Sequence, residues 1–399
     1  MTDTACPVCQ TAAPKTFLDL KNLPIYCNLL WSDQQEARDC PKGDIRLVFC
    51  EHCGAITNAD FDPSLLGYSQ DYENSLHYSK RFQTYAQELA ERLVEQHQLQ
   101  GKKIVEIGCG KGDFLVSLCQ LGNNTGIGFD NSYVERPEHI ALGSQVKFVQ
   151  DFYSEKYSEY GGDLVCCRQV LEHIQQPGDM LGPVRKTIGD SKDTAVFFEV
   201  PNALYTFDNM MIWDIIYEHC TYFTPVSLAY TFHAAGYRTE AVREEFGGQF
   251  ISIEAYPVKE QIVEIDKVAV SELSDTIASF GSRFETQMTG WKATLDEMFQ
   301  QGKKVVIWGS GSKGVTFLNL LDTKAQIEYA VDINPRKQGK FIPGTGQEII
   351  APERLEAYGP DVVIVMNPLY RQEIQDMLKE IGLAPDVLTT ESLGAQSVV

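Results

Sequence analysis

The stretch KKIVEIGCGKGDFLVSLCQLG, residues 102–122, leaves little freedom of fold. An apolar run of strand length ends in a turn with glycine at alternate positions, and a helix-period pattern follows without a break. Strand, glycine turn and helix in that order open a βαβ unit, so the chain is predicted to build a parallel sheet. The runs KIVEIG, NTGIGFD, VKFVQD, DLVCCRQV and TAVFFEVPN then read as successive strands of a largely parallel sheet. The pattern restarts at KKVVIWGSGSKGVTFLNLL and continues through IEYAVDINP and PDVVIVMNP, which gives a second, smaller α/β unit. Between the two, residues 258–300 carry few breakers and much charge and read as helical. The first seventy or so residues differ, being short on helical periodicity and carrying two cysteine pairs, before RFQTYAQELAERLVEQHQLQ reads as an amphipathic helix. At 399 residues the chain exceeds what one core supports, and the expected division is 1–75, 76–257, a helical linker at 258–300, and 301–399.

The balance of charge narrows the partners. A formal net charge of −21 opposes attraction to phosphate backbones, so a nucleic-acid partner is not expected. No apolar run approaches the length of a membrane span. The opening MTDTACPVCQ has neither a basic nor an apolar signal stretch, so the expected location is the reducing cytoplasm, with the 11 cysteines as thiols or metal ligands.

Four of those cysteines form two knuckles, CPVC (Cys6, Cys9) and CEHC (Cys50, Cys53). Each CxxC turns two thiolates toward one point, and two such pairs complete a tetrahedral site for a structural zinc ion. Cys27, Cys40 and His52 lie between or beside the pairs as substitute ligands.

The first glycine turn places Glu106, Gly108, Gly110 and Gly112 at a strand end, with Asp130 closing the next strand about twenty residues on. Such a turn suits any nucleotide-like ligand, because the backbone passes close beneath it and the following helix presents its N-terminus. The ExGxGxG form followed by QDF at 150–152 resembles class I S-adenosylmethionine-dependent methyltransferases, over roughly residues 80–257. The resemblance implies an S-adenosylmethionine site at Gly108, Gly110, Gly112 and Glu106, with Asp130 toward the ribose and Asp151 and Phe152 toward the adenine. CRQVLEHIQQP follows the fourth strand, where this class reaches the transferring methyl group; Gln169 is expected at the cofactor and His173 at the reaction. FFEVPN brings Glu199 and Asn202 to the same strand-end crevice, Asn202 as a candidate substrate contact.

IIYEHCTYFTP, residues 215–225, gathers Tyr217, Glu218, His219 and Tyr222 in an apolar run. Methylation at carbon needs a proton removed beside a carbonyl, and an imidazole suits that task near neutral pH, with Glu218 orienting it and Tyr217 or Tyr222 donating to the oxyanion. On a strand Tyr217 and His219 would share a face; on a helix His219 and Tyr222 would be neighbours; an aromatic run packed in a core is the other reading.

The order of cysteine segment, methyltransferase, YEHxxYF-type run and a C-terminal unit opening GSGSKGVTFLN is similar to the C-methyltransferases of nucleotide-linked keto-deoxysugars. The resemblance implies an α/β chain in which a small N-terminal zinc-binding domain, a class I Rossmann-like methyltransferase domain and a C-terminal Rossmann-like domain act together. It also implies His219 as general base, assisted by Tyr217, Glu218, Tyr222 and His173, and a small-molecule acceptor that is a nucleotide sugar. Cys220 and Thr221 depart from the bulkier residues expected there. Tyr72, Asn74 and His77, in YENSLHYS, are candidates for closing over the acceptor. In the C-terminal unit, Gly309, Gly311 and Gly314 with Asp332 form a second nucleotide-type turn, which reads either as a site for the nucleotide diphosphate, with Lys313 and Arg336 at substrate phosphates, or as a scaffold that walls the cleft. An O- or N-methyltransferase of another small metabolite is the alternative function.

Overall fold

The computed structural model describes residues 5–11, 13–67, 72–260 and 263–391. In chain order the N-terminal part gives β1 (Lys15–Pro24), β2 (Lys42–Phe49) and β3 (Ile56–Asn58), then helix α1 (Lys80–Gln96). There follow β4 (Lys103–Ile107), α2 (Asp113–Gly122), β5 (Thr125–Phe129), β6 (Val146–Val149), β7 (Leu164–Arg168) and β8 (Ala195–Pro201). Next come β9 (Thr221–Tyr222), α3 (Pro225–Ala234), β10 (Tyr237–Glu245), β11 (Phe250–Pro257) and the long α4 (Lys267–Gln300). The C-terminal part holds β12 (Val305–Trp308), α5 (Ser312–Leu321), β13 (Ile327–Val331), β14 (Glu348–Ile350), β15 (Val362–Val365), α6 (Arg371–Glu380) and β16 (Asp386–Thr389).

These strands make three sheets. The central one runs β6-β5-β4-β7-β8-β11-β10, with β4 to β8 parallel and the β10–β11 hairpin antiparallel. The hairpin is absent from the sequence reading because β10, YRTEAVREE, alternates small and charged residues and has no apolar face to betray it. The C-terminal sheet, β14-β13-β12-β15-β16, is wholly parallel. Strands β4 and β12 both lie inside their sheets and are buried along nearly their whole length, which is why each reads as a continuous apolar run.

The N-terminal sheet is antiparallel and borrows a strand. Its order is β1-β2-β3-β9, with Thr57 opposite Thr221 and Ile56 opposite Tyr222. The strand that immediately follows His219 is therefore hydrogen-bonded to the cysteine-bearing segment. Helix α4 is more than a bridge. Its buried Leu273, Ile277, Phe280, Phe284, Met288 and Trp291 recur at steps of three and four, and they share one core with Leu20 and Leu47 of the N-terminal sheet and Ile307 of the C-terminal sheet. The N-terminal and C-terminal sheets are thus packed around common apolar contacts, whereas the central sheet has its own cores on its two faces.

Candidate active site

The glycine turn after β4 has a distinct reason for each glycine. A Cβ on Gly108 would stand 2.2 Å from Val170, and one on Gly112 would stand 2.5 Å from Phe148, so these two are close-packing positions. Gly110 has φ +53° and nothing within 4 Å of a Cβ, and it is here that the backbone is open to a ligand. Its amide donates to Asp130 Oδ2 (2.8 Å), while Asp130 Oδ1 accepts from the Ser132 amide and hydroxyl (both 2.7 Å). Glu106 accepts from the Leu115 amide, and burial pushes its carboxyl up to about 8. Its Oε2, like Lys111 Nζ, is buried with no hydrogen-bond partner among the described residues. Further out, Asp151 pairs with Lys156 and accepts from Tyr157 Oη (2.6 Å), and Phe152 is 61 % exposed.

The loop after β7 is fixed from below. Arg168 and Glu199 form a buried ion pair (3.0 Å), with the guanidinium over the Phe114 ring and Tyr85 Oη donating to Glu199. Gln169, at φ +56°, donates to the same carboxylate (3.2 Å). A buried carboxylate so compensated is an anchor for the loop. Val170 then seats against Gly108, and Gln169, Glu172 and His173 reach the cleft.

The Tyr-Glu-His trio is neither strand nor helix. The His219 amide donates to Ile216 O (3.3 Å) in a tight turn, and the three side chains diverge. Tyr217 is 1 % exposed, stacks on Phe61 and accepts at Oη from the Asp62 amide (2.9 Å). Glu218 is buried and accepts from the Cys27 amide (2.9 Å), and from Tyr72, with burial raising its carboxyl to about 7. Tyr222 Oη accepts from the Ile216 amide (3.1 Å) and donates to Ile216 O (3.0 Å), stapling the turn from behind. Of the trio His219 alone lines the cleft. The expectation that Tyr217 and Tyr222 face the oxyanion is therefore corrected: their hydroxyls are spent on backbone inside the core. Cys220, the odd residue in this run, donates from its amide (2.9 Å) and thiol (3.3 Å) to Glu172 O, which ties the turn to the loop after β7. His173 Nδ1 donates to Glu218 O (2.8 Å) across the same seam, so the ring's lone pair lies on Nε2. The His173 and His219 rings are 5.1 Å apart, and burial pulls both below the usual histidine range, His173 to about 4.

The cleft runs from these histidines to the C-terminal glycine turn and encloses ≈ 300 Å³, a small-molecule volume. Tyr72, Asn74 and Tyr78 line it, as do Asn28, Asp214, Gln249, Gly311, Lys313, Asp332, Lys337 and Asn367. The carboxylate of Asp332 accepts from the Ser310 amide (3.0 Å) and hydroxyl (2.6 Å), the same latch that Asp130 makes with Gly110. Lys313 pairs with Asp214 (2.6 Å). Three expected contacts lie elsewhere. Arg336 pairs with the buried Glu73 (3.0 Å), and its neighbour Lys337, bonded to Asn28 Oδ1 (3.3 Å), joins Lys313 at the cleft instead. Asn202 caps the next helix and donates to Gly248 O (2.9 Å). His77 packs edge-on against Phe82 beside the cleft wall. Glu172 and Asp214 escaped the sequence reading, although Glu172 lies in the same LEH segment as His173, whereas Lys337 belongs to the basic NPRKQG run expected at substrate phosphates.

The four knuckle cysteines converge. Cys6 and Cys53 sulfurs are 3.8 Å apart and Cys9 and Cys50 sulfurs 3.7 Å, close to the roughly 3.8 Å edge of a tetrahedron with Zn–S bonds of about 2.3 Å. Their donor set suits a metal ion. The cluster packs against Tyr230 of α3.

Two family descriptions cover most of the chain: a methyltransferase domain matches residues 78–242 and a C-methyltransferase C-terminal domain matches residues 253–384. C-methyltransferase NovU of Streptomyces niveus is 26% identical over 95% of this chain and 94% of its own length. The chain is an S-adenosylmethionine-dependent methyltransferase, and its C-terminal part is similar to that of C-methyltransferases. This methyltransferase is also similar to the ubiquinone biosynthesis O-methyltransferase of Escherichia coli O127:H6, 32% identical over 107 residues, which is 26% of this chain and 44% of that protein. Among solved structures, the magnesium protoporphyrin IX methyltransferase of Synechocystis PCC 6803 with bound SAH overlaps 45% of this chain and 84% of its own, at 16% identity and a TM-score of 0.35. The methyltransferase's own residues fit its cofactor: Gly110 opens the backbone, and Glu106 Oε2 and Lys111 Nζ are buried polar atoms awaiting partners. No helix among the described residues is long and apolar enough to cross a membrane.

Proposed function

We propose that this methyltransferase acts at a carbon beside a ketone of a nucleotide-linked deoxysugar, with His219 as the base. The observation that carries the reading is the placement of His219 in one cleft with the second glycine turn, between the catalytic sheet and the C-terminal sheet. Gly110, Asp130 and the loop at Gln169 would hold S-adenosylmethionine, which supplies an electrophilic methyl group. The lone pair of the His219 imidazole takes the proton next to the carbonyl, and the C–H electrons pass into an enolate. The packed aromatic wall of Phe82, Phe246 and Phe250 keeps bulk water from the carbanion equivalent. At the far end, Lys337 and the start of α5, ten residues long, suit a diphosphate. The four cysteines hold a structural zinc that steadies β3 and, through β9, the His219 turn.

The test uses a panel of nucleotide-linked keto-deoxysugars with S-adenosylmethionine, following S-adenosylhomocysteine release and locating the methyl group by NMR. Methyl on the α-carbon supports the reading. Methyl on oxygen supports the alternative that the likeness to an O-methyltransferase favours, although that likeness is confined to 107 residues.

A further inference from the structure

Glu172, His173 and His219 share a property that proton abstraction by one histidine does not require. One donor atom from each lies within 4.8 Å of the others, and the group opens onto the cleft. Glu172 is 2 % exposed, and its Oε2 is buried with no hydrogen-bond partner among the described residues. Its Oε1 is 3.9 Å from His173 Nε2. Burial pushes the Glu172 carboxyl up to about 8, and a desolvated carboxyl oxygen without a hydrogen bond beside two imidazoles carries a cost that a proton or a shared cation relieves. His173 is already oriented as a ligand would be, with Nδ1 donating to the Glu218 carbonyl and the lone pair of Nε2 directed to the cluster. The Cys220 bonds to Glu172 O hold the loop and the His219 turn at constant separation.

We propose that Glu172, His173 and His219 form a second metal site, separate from the cysteine cluster, for a first-row divalent ion such as zinc or nickel. Two imidazoles and one carboxylate are a borderline donor set that prefers such ions to magnesium or calcium. In a tetrahedral site with bonds of about 2.1 Å the donors stand roughly 3.4 Å apart, so side-chain rotations of the order of an ångström close the group around an ion. The fourth position faces the cleft. Occupancy engages the His219 lone pair and silences proton abstraction, a consequence that rests on His219 being the base. Binding itself does not depend on that assignment.

Cobalt(II), which reports its ligands optically, tests this on the full-length protein. With the cysteine site already filled by zinc, a further equivalent of cobalt is expected to give d–d absorption without a thiolate charge-transfer band. Glu172→Gln and His173→Gln should each weaken that second binding by roughly tenfold or more, while the thiolate band formed by cobalt at the cysteine site of the metal-free protein stays unchanged. Absence of a second equivalent in the wild type, or its persistence at unchanged affinity in both variants, overturns the proposal. If cobalt or zinc binds there and methyl transfer continues undiminished, the metal site stands and His219 is not the base.

Discussion

At residue scale, the Tyr-Glu-His turn presents His219 to the cleft and keeps Tyr217 and Glu218 in the core. His219→Ala should lower methyl transfer by roughly a hundredfold to ten-thousandfold, with cofactor affinity unchanged by calorimetry. Tyr217→Phe should leave turnover near wild type and cost about 1 kcal/mol of stability, because it removes only the bond from the Asp62 amide; chemical denaturation beside a turnover assay separates the two effects. Glu106 gives a pH signature. Its folded value, about 8, lies above the ordinary 4.5, so the native state keeps a proton that the unfolded chain releases. The stabilisation from that proton is complete below pH 4.5 and is lost as pH rises to about 8. Glu106→Gln removes this loss, and the melting temperature of the wild type relative to the variant should fall between pH 5 and about pH 8, measured without cofactor.

Among elements, what the sequence made legible was what its neighbours in the chain determine. The cysteine knuckles, the glycine turn after β4 and the capped, amphipathic α1 depend on local spacing, and each is found in place. The direction of Tyr217 depends on Phe61 and Gly43, where a Cβ would come within 2.4 Å of its ring, and no spacing within IIYEHCTYFTP encodes them. Arg336 and Lys337 are adjacent in sequence, yet Glu73, far away in the chain, decides which of them leaves the cleft. Thr221 lies in the short β9 opposite Thr57, and the Cys220 thiol bonds the Glu172 carbonyl, so both departures fall at contacts between segments distant in the chain. The β3–β9 pairing also yields an expectation. Cys50→Ser should reduce thermal stability and methyl transfer together, since β3, which follows the Cys50–Cys53 knuckle, pairs with the strand after His219; zinc content by atomic emission and turnover on the same samples check that the two fall in step.

For the whole molecule, three sheets of different origin in the chain meet at one cleft. The central sheet brings the loop with Glu172 and His173, the N-terminal sheet grips the turn that presents His219, and the C-terminal sheet closes the other side with Lys313, Asp332 and Lys337. The shared core through α4 ties the N-terminal and C-terminal sheets together. Trp291, fully buried there, should cost roughly 3–5 kcal/mol on replacement by alanine, with the N-terminal and C-terminal parts unfolding in one transition by calorimetry. The central claim is that proton removal at carbon, by His219, precedes methyl transfer. Its most direct test follows deuterium uptake from solvent at the α-carbon of a nucleotide-linked keto-deoxysugar that supports S-adenosylhomocysteine release, with S-adenosylhomocysteine in place of the methyl donor. Uptake by the wild type and none by His219→Ala is the predicted result; no uptake by the wild type, with the methyl group recovered on oxygen in turnover, would contradict it.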